Sequence, residues 1–119
     1  MSFSSSTVFD QFADKTVSAT DKSKRAYVVS NAQYDILQAA GVPFHNGGSA
    51  DAPYVTFNVL NSPERATVRA SFYGSLRVGS GRRPEARMGR ELISEWLEPG
   101  DILRIGRIGN QVFMLRLNK

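Results

Sequence analysis

The chain contains no cysteine and a single histidine, His45. Without cysteine there is no disulfide framework and no thiolate to act as nucleophile or ligand, and one imidazole cannot assemble a zinc or histidine-based metal centre. A serine–histidine–acid triad would have to recruit His45, which stands in a glycine-rich stretch far from any nucleophile-elbow pattern. Clustered carboxylates of the kind that hold divalent ions in nucleases are also missing, since Glu85, Glu91 and Glu95 read as loop and helix-surface residues. The expectation is a chain with no cofactor, no metal and no catalysis of its own. Long apolar runs are absent too: none approaches the ~20 residues needed to cross a bilayer, and the first residues, Met-Ser-Phe-Ser-Ser-Ser, lack the basic start and apolar stretch of a signal peptide. A soluble, cytoplasmic protein with no membrane partner is expected. The 119 residues suit one domain over 1–119, with the serine-rich residues 1–6 disordered.

What the chain does have is arginine, unevenly placed. The net charge is +4, yet ten of the eleven arginines follow position 64. Between residues 65 and 90 stand Arg65, Arg69, Arg77, Arg82, Arg83, Arg87 and Arg90 against Glu85 alone. Choosing arginine over lysine throughout favours forked recognition of phosphates or guanine edges over plain solubility. A second basic segment, residues 15–25, carries Lys15, Lys22, Lys24 and Arg25 among the small polar residues Thr16, Ser18 and Thr20. It reads as an exposed loop able to meet phosphates.

The remaining segments alternate as strands with two short helices. Residues 7–14 place Val8, Phe9, Phe12 and Ala13 at helical spacing, fitting a short helix or an irregular edge. Residues 25–30 have strand composition, Asn31 offers an N-cap for a helix over 32–40, and Gly41 supplies its left-handed stop. A loop with His45 fills 42–52, followed by a strand over 54–60, a turn over 61–64 and a second strand over 65–73. That second strand sets Ala66, Val68, Ala70 and Phe72 on one face and Arg65, Thr67, Arg69, Ser71 and Tyr73 on the other, which would be shown to water or a ligand. Residues 79–90 read as a presented basic loop. Leu92, Ile93, Trp96 and Leu97 then share one side of a short core-plugging helix, ended by Glu98-Pro-Gly-Asp101. Strands over 101–108 and 111–117 flank the hairpin signal Gly109-Asn110.

The order of these pieces, from Ala26-Tyr-Val-Val-Ser30 through Tyr54-Val-Thr-Phe57, Glu64-Arg-Ala66 and Phe72-Tyr-Gly-Ser75 to Arg83-Pro-Glu-Ala-Arg-Met-Gly-Arg90 and Leu97-Glu-Pro-Gly-Asp-Ile-Leu103, resembles the B3-like DNA-binding pseudobarrel of restriction endonucleases. The likeness is to the N-terminal effector-binding domain of EcoRII and its relatives, and more distantly to plant B3 domains. It implies a mainly β, α+β fold, a seven-stranded open pseudobarrel with two short helices, gripping the major groove of double-stranded DNA with two arms. A nuclease domain elsewhere in a parent protein would go with it. The arms fall on residues 15–25 and 79–90, and the glycine–threonine character of the first arm in the restriction-enzyme relatives is matched here only by Thr16, Ser18, Ala19 and Thr20. The DNA-binding set expected from charge and resemblance together is Lys15, Thr16, Ser18, Thr20, Lys22, Lys24, Arg25, Arg69, Arg77, Arg82, Arg83, Glu85, Arg87 and Arg90. Arginine can fork onto guanine, and a carboxylate such as Glu85 can either accept from cytosine or hold neighbouring arginines in place. Arg65, Arg69 and Arg77 suit phosphates. Two other readings stand beside this one: a single-stranded DNA or RNA binder stacking bases on Phe72 and Tyr73, and a protein-interaction module whose arginines meet acidic surfaces.

Overall fold

Period-two alternation dominates the chain, and the strands it produces join one curled sheet. A computed structural model describes residues 9–60, 62–75 and 85–117. In chain order the elements are β1 (Gln11–Thr16), α1 (Ala19–Ser23), β2 (Tyr27–Val28), α2 (Asn31–Ala39), β3 (His45–Asn46), a 3₁₀ turn (Ser49–Asp51), β4 (Tyr54–Val59), β5 (Thr67–Ser75), β6 (Glu85–Met88), a π-helical turn (Leu92–Trp96), β7 (Ile102–Ile108) and β8 (Gln111–Arg116). Seven strands run along one path, β1-β7-β8-β4-β5-β6-β2, and the two-residue β3 joins off it beside β5. The β4–β8 and β3–β5 pairs are parallel and the others antiparallel. The fold is a mainly β open pseudobarrel, as expected from sequence, with β3 as an eighth strand among the described residues.

Closing the curl requires β5 to change partners midway. Its first half, Thr67 to Ser71, pairs with β4, and Phe72 to Ser75 pairs with β6. At the handover a Cβ on Gly74 would stand 2.1 Å from the Glu85 carbonyl oxygen, so only glycine lets the two backbones meet. The two path ends, β1 and β2, are not hydrogen-bonded to each other as strands; a polar seam joins them. Gln33, fully buried in the first turn of α2, accepts from the Tyr27 hydroxyl (2.7 Å) and donates to the carbonyls of Ala13 (3.2 Å) and Leu103 (3.1 Å). Lys15 on β1 donates to the Val28 carbonyl on β2, and its ammonium lies 4.7 Å from the Tyr27 ring centroid and 3.7 Å from buried Asp21. Burial pushes the Tyr27 hydroxyl well above its ordinary pKa, so it stays a neutral donor to Gln33.

Inside the curl, Tyr27, Leu37, Phe57, Phe72, Met88, Leu92, Ile93, Leu103, Ile105 and Met114 anchor the main core. Each large apolar side chain so buried contributes about 1.5–3 kcal/mol before its entropy cost. A smaller cluster, Phe9 with Phe113 and Leu115, packs apart from it, and the Phe9 ring lies where a side chain on Gly106 would be, 2.8 Å from that Cβ position. The π-helical turn buries Leu92, Ile93 and Trp96, with Leu97 after it, as the apolar spacing predicts. No described helix is long and apolar enough to cross a membrane.

Several local expectations are corrected. Of the short helix or irregular edge expected over 7–14, the described residues show a regular edge strand over 11–16, because six-residue pairing with β7 outweighs the helical spacing of the phenylalanines, and Phe12 ends up exposed beneath the Arg104 guanidinium. Residues 15–25 are not an open loop. Lys15 and Thr16 end β1, Val17 is buried, and α1 follows with a reciprocal capping box between Ser18 and Asp21. The strand over 25–30 shortens to β2, and Ser30 caps α2 in place of Asn31, since Gln33 completes a second box with Ser30. The loop over 42–52 contains β3 and the 3₁₀ turn. The presented loop over 79–90 ends early, because residues 85–88 pair with β5 as β6 and bury Ala86 and Met88. The expected disorder at 1–6, the start of the 7–14 segment and Asn61 of the 61–64 turn lie outside the described residues, as do residues 79–84 of the basic loop.

Candidate nucleic-acid interface

Side chains at paired positions of adjacent strands share a face, so the register Tyr54↔Ser71 and Thr56↔Arg69 puts Tyr54 diagonally beside Arg69 on one outer face of the sheet. Tyr54 is 55% exposed, and the Arg69 and Arg90 guanidiniums lie 5.3 and 5.2 Å from its ring centroid. An exposed tyrosine flanked by two guanidiniums is favoured by the cation–π attraction of each. Glu91 fixes the arrangement from below, accepting from Arg65 Nη1 (2.8 Å) and Arg69 Nε (3.0 Å). The Arg69 guanidinium, with Arg65, holds the Glu91 carboxyl below the usual carboxylate range.

The corner after β6 folds over the same face. Gly89 donates to the Ser71 carbonyl, and a Cβ on Gly89 would lie 3.3 Å from Ser71 Oγ and 3.6 Å from the Tyr73 ring. That cover buries Ser71 and Tyr73, so of the polar face expected along β5 only Thr67 and Arg69 are exposed among the described residues. Phe72 is buried in the core, and the two rings invoked for base stacking are therefore not presented.

Between this corner and the end of α1 lies a cleft of about 360 Å³ lined by Lys24, Arg25, Tyr73, Gly89, Arg90 and Ser94. Of the six described lining residues three are cationic and none is acidic. Arg25 and Arg90 hold positive φ, +53° and +66°, and they are the only such non-glycine residues among those described. This conformation costs a side-chain-bearing residue about 1–2 kcal/mol.

The expected site residues divide accordingly. Lys24, Arg25 and Arg90 come together at the cleft, and Arg69 joins them through Tyr54. Lys15 is turned into the seam. Lys22 is turned onto the π-helical turn, where its ammonium donates to the carbonyls of Ile93 (2.8 Å) and Leu97 (2.9 Å) and to Glu98 (3.2 Å). Ser18 serves as a helix cap, while Thr16 is exposed at the end of β1 and Thr20 on α1. On β6, Glu85 and Arg87 form an ion pair of 2.6 Å, so Glu85 does restrain a neighbouring arginine. Arg77, Arg82 and Arg83 lie outside the described residues. Tyr54 and Ser94 belong to the face although no basic cluster surrounds them in sequence; pairing register and the β6 corner bring them beside Gly89 of the basic 79–90 stretch. Among the described residues no three His, Asp or Glu side chains gather as metal ligands would.

Fold and face together define a small open pseudobarrel with a basic cleft beside an arginine-flanked tyrosine. Compared with models of known protein families, with curated proteins and with solved structures, the chain matches none.

Proposed function

We propose that this chain is a B3-like module that binds double-stranded DNA in a sequence-specific way and has no catalytic activity of its own. It acts in the cytoplasm as the recognition or effector domain of a restriction endonuclease, or as a stand-alone relative. The observation that carries the reading is the meeting of the two basic segments: Lys24 and Arg25 from one and Arg90 from the other line a single cleft, and the Arg90 guanidinium also lies against Tyr54, as does that of Arg69. Two elements 65 residues apart in sequence thus present one positive surface, as a duplex backbone requires. Arg77, Arg82 and Arg83 stand in the sequence between β5 and β6, outside the described residues. In this reading Arg83 and Arg87 contact bases while Arg69 contacts phosphate.

Titration of the protein into random duplexes at two salt concentrations tests the proposal. Binding should weaken steeply with salt, by about one power of salt concentration for each phosphate neutralised. Arg87→Ala should relax preference among selected sequences, costing about 1–3 kcal/mol on the preferred site, whereas Arg69→Ala weakens all duplexes alike. Absence of salt-sensitive duplex binding sinks the reading.

A further inference from the structure

The Lys24–Arg25–Arg90 cleft has features that general basic surface lacks. The first is the ending of α1. Its last turn closes with the Arg25 amide donating to the Lys22 carbonyl and the Ala26 amide to the Asp21 carbonyl. This is the Schellman pattern, in which the residue after the cap turns left-handed and is ordinarily glycine. The chain places an arginine there. The second is the β6 corner, where Arg90 holds the same disfavoured conformation directly after Gly89 and faces the same cleft. Strain of this kind persists only where the surrounding structure holds it in place, and it clusters at functional sites. The third lies beneath the β6 corner, at a residue that does not itself line the cleft. The Ser71 hydroxyl lies fully buried beneath Gly89 and has no hydrogen-bond partner among the described residues.

Among the described residues that line the cleft there is no carboxylate. The nearest carboxylate in sequence, Glu91, is engaged by Arg65 and Arg69 outside it. The volume is at the small end of the range for ligand sites, suited to a phosphate group and its ester neighbours and not to a large apolar substrate. Three cationic side chains around a polar lining of Tyr73 and Ser94 match an anion with several acceptor oxygens.

We infer that this cleft is a built seat for one phosphate group, with Arg25 and Arg90 as its principal cations and Lys24 at its rim. The natural occupant rests on the DNA reading above: the phosphate is either an internal phosphodiester of a duplex or a terminal phosphate monoester. The seat itself can be tested without DNA.

Inorganic phosphate titrated into isotope-labelled protein at constant ionic strength should give saturable amide shifts at Arg25, Ala26, Gly89 and Arg90. Arg25→Gly should abolish them while preserving the fold, since glycine suits the left-handed position; thermal melting checks this. Arg90→Ala gives an independent second variant. With duplexes, Arg25→Gly should weaken binding about tenfold or more, the scale of one charge-assisted contact, and lower the salt slope by about 1. Arg107→Ala, which removes one positive charge from β7 outside the cleft, should change affinity less than twofold. An equal loss on 5′-phosphorylated and 5′-hydroxyl duplexes identifies an internal phosphodiester; a loss confined to the phosphorylated duplex identifies a terminal monoester. If the wild type binds no duplex yet phosphate still saturates these amides, the seat stands and the DNA reading fails. Unsaturable phosphate shifts, or a duplex affinity that falls no further with Arg25→Gly than with Arg107→Ala, overturn the seat.

Discussion

The two α-helices begin and end with the same devices, and they differ in what those devices are made of. Both start with a serine-led capping box, Ser18 with Asp21 and Ser30 with Gln33. Both stop with the same pair of hydrogen bonds: Arg25 to Lys22 and Ala26 to Asp21 in α1, Gly41 to Gln38 and Val42 to Leu37 in α2. At the left-handed position α2 has Gly41 and α1 has Arg25. The box residue of α2 reaches through the core to tie β1, β7 and Tyr27, while the end of α1 opens on the basic cleft. One helix is spent on closing the barrel. The other gives up backbone comfort to hold an arginine at the surface.

The largest expected effect comes from breaking the α2 side. Gln33→Leu leaves the Ala13 and Leu103 carbonyls and the Tyr27 hydroxyl without their partner, and a loss of about 2–3 kcal/mol in urea-unfolding free energy is expected from such unsatisfied groups. A loss under half a kilocalorie would mean that the seam is not where the barrel is held. Next comes the exchange of the two helix stops. Left-handed backbone costs a side-chain-bearing residue about 1–2 kcal/mol, offset by the greater freedom that glycine loses on folding, about 0.5–1 kcal/mol. Gly41→Arg should therefore destabilise by roughly 1 kcal/mol, since open space surrounds its Cβ position and only the backbone objects. Arg25→Gly should have the opposite sign and a similar or smaller size. Chemical denaturation of both variants checks this, and destabilisation by Arg25→Gly would show that the arginine serves the fold after all.

The smallest effect is in acid. Glu91 has a carboxyl depressed in the folded state by Arg69 and Arg65, relative to an ordinary value of about 4.3 in the unfolded chain. Its contribution to stability is fully present above that value and is lost as pH falls through the lower folded one. Glu91→Gln should flatten the decline of melting temperature below about pH 4.3 and leave the neutral-pH slope unchanged. Because Arg69 is 59% exposed on its side chain, salt should shrink the difference. An acid limb unchanged by the substitution would assign the acid sensitivity to other carboxylates.

Alternation, turn residues and apolar spacing made the strands over 54–60 and 65–73, the Gly109-Asn110 hairpin and the core side of 92–97 legible in the sequence, because each depends on residues within a few positions. The capping boxes Ser18…Asp21 and Ser30…Gln33 were there to be read as well, and they would have turned the 15–25 segment from loop to helix. β1 was not legible: its apolar residues mimic a helical period, and only a partner strand 90 residues away selects the extended form.

The sequence by itself determined the class of fold and the two concentrations of positive charge. Which of those charges face outward was decided only in three dimensions. Lys15, Lys22, Lys24 and Arg25 lie within eleven residues of one another, yet the first two are turned inward by carbonyls of β2 and the π-helical turn that no local pattern foretells. The last two are turned outward by the stop of α1. Charge is a property of composition, but whether a cation finds an internal acceptor depends on which distant backbone the folded sheet brings beside it.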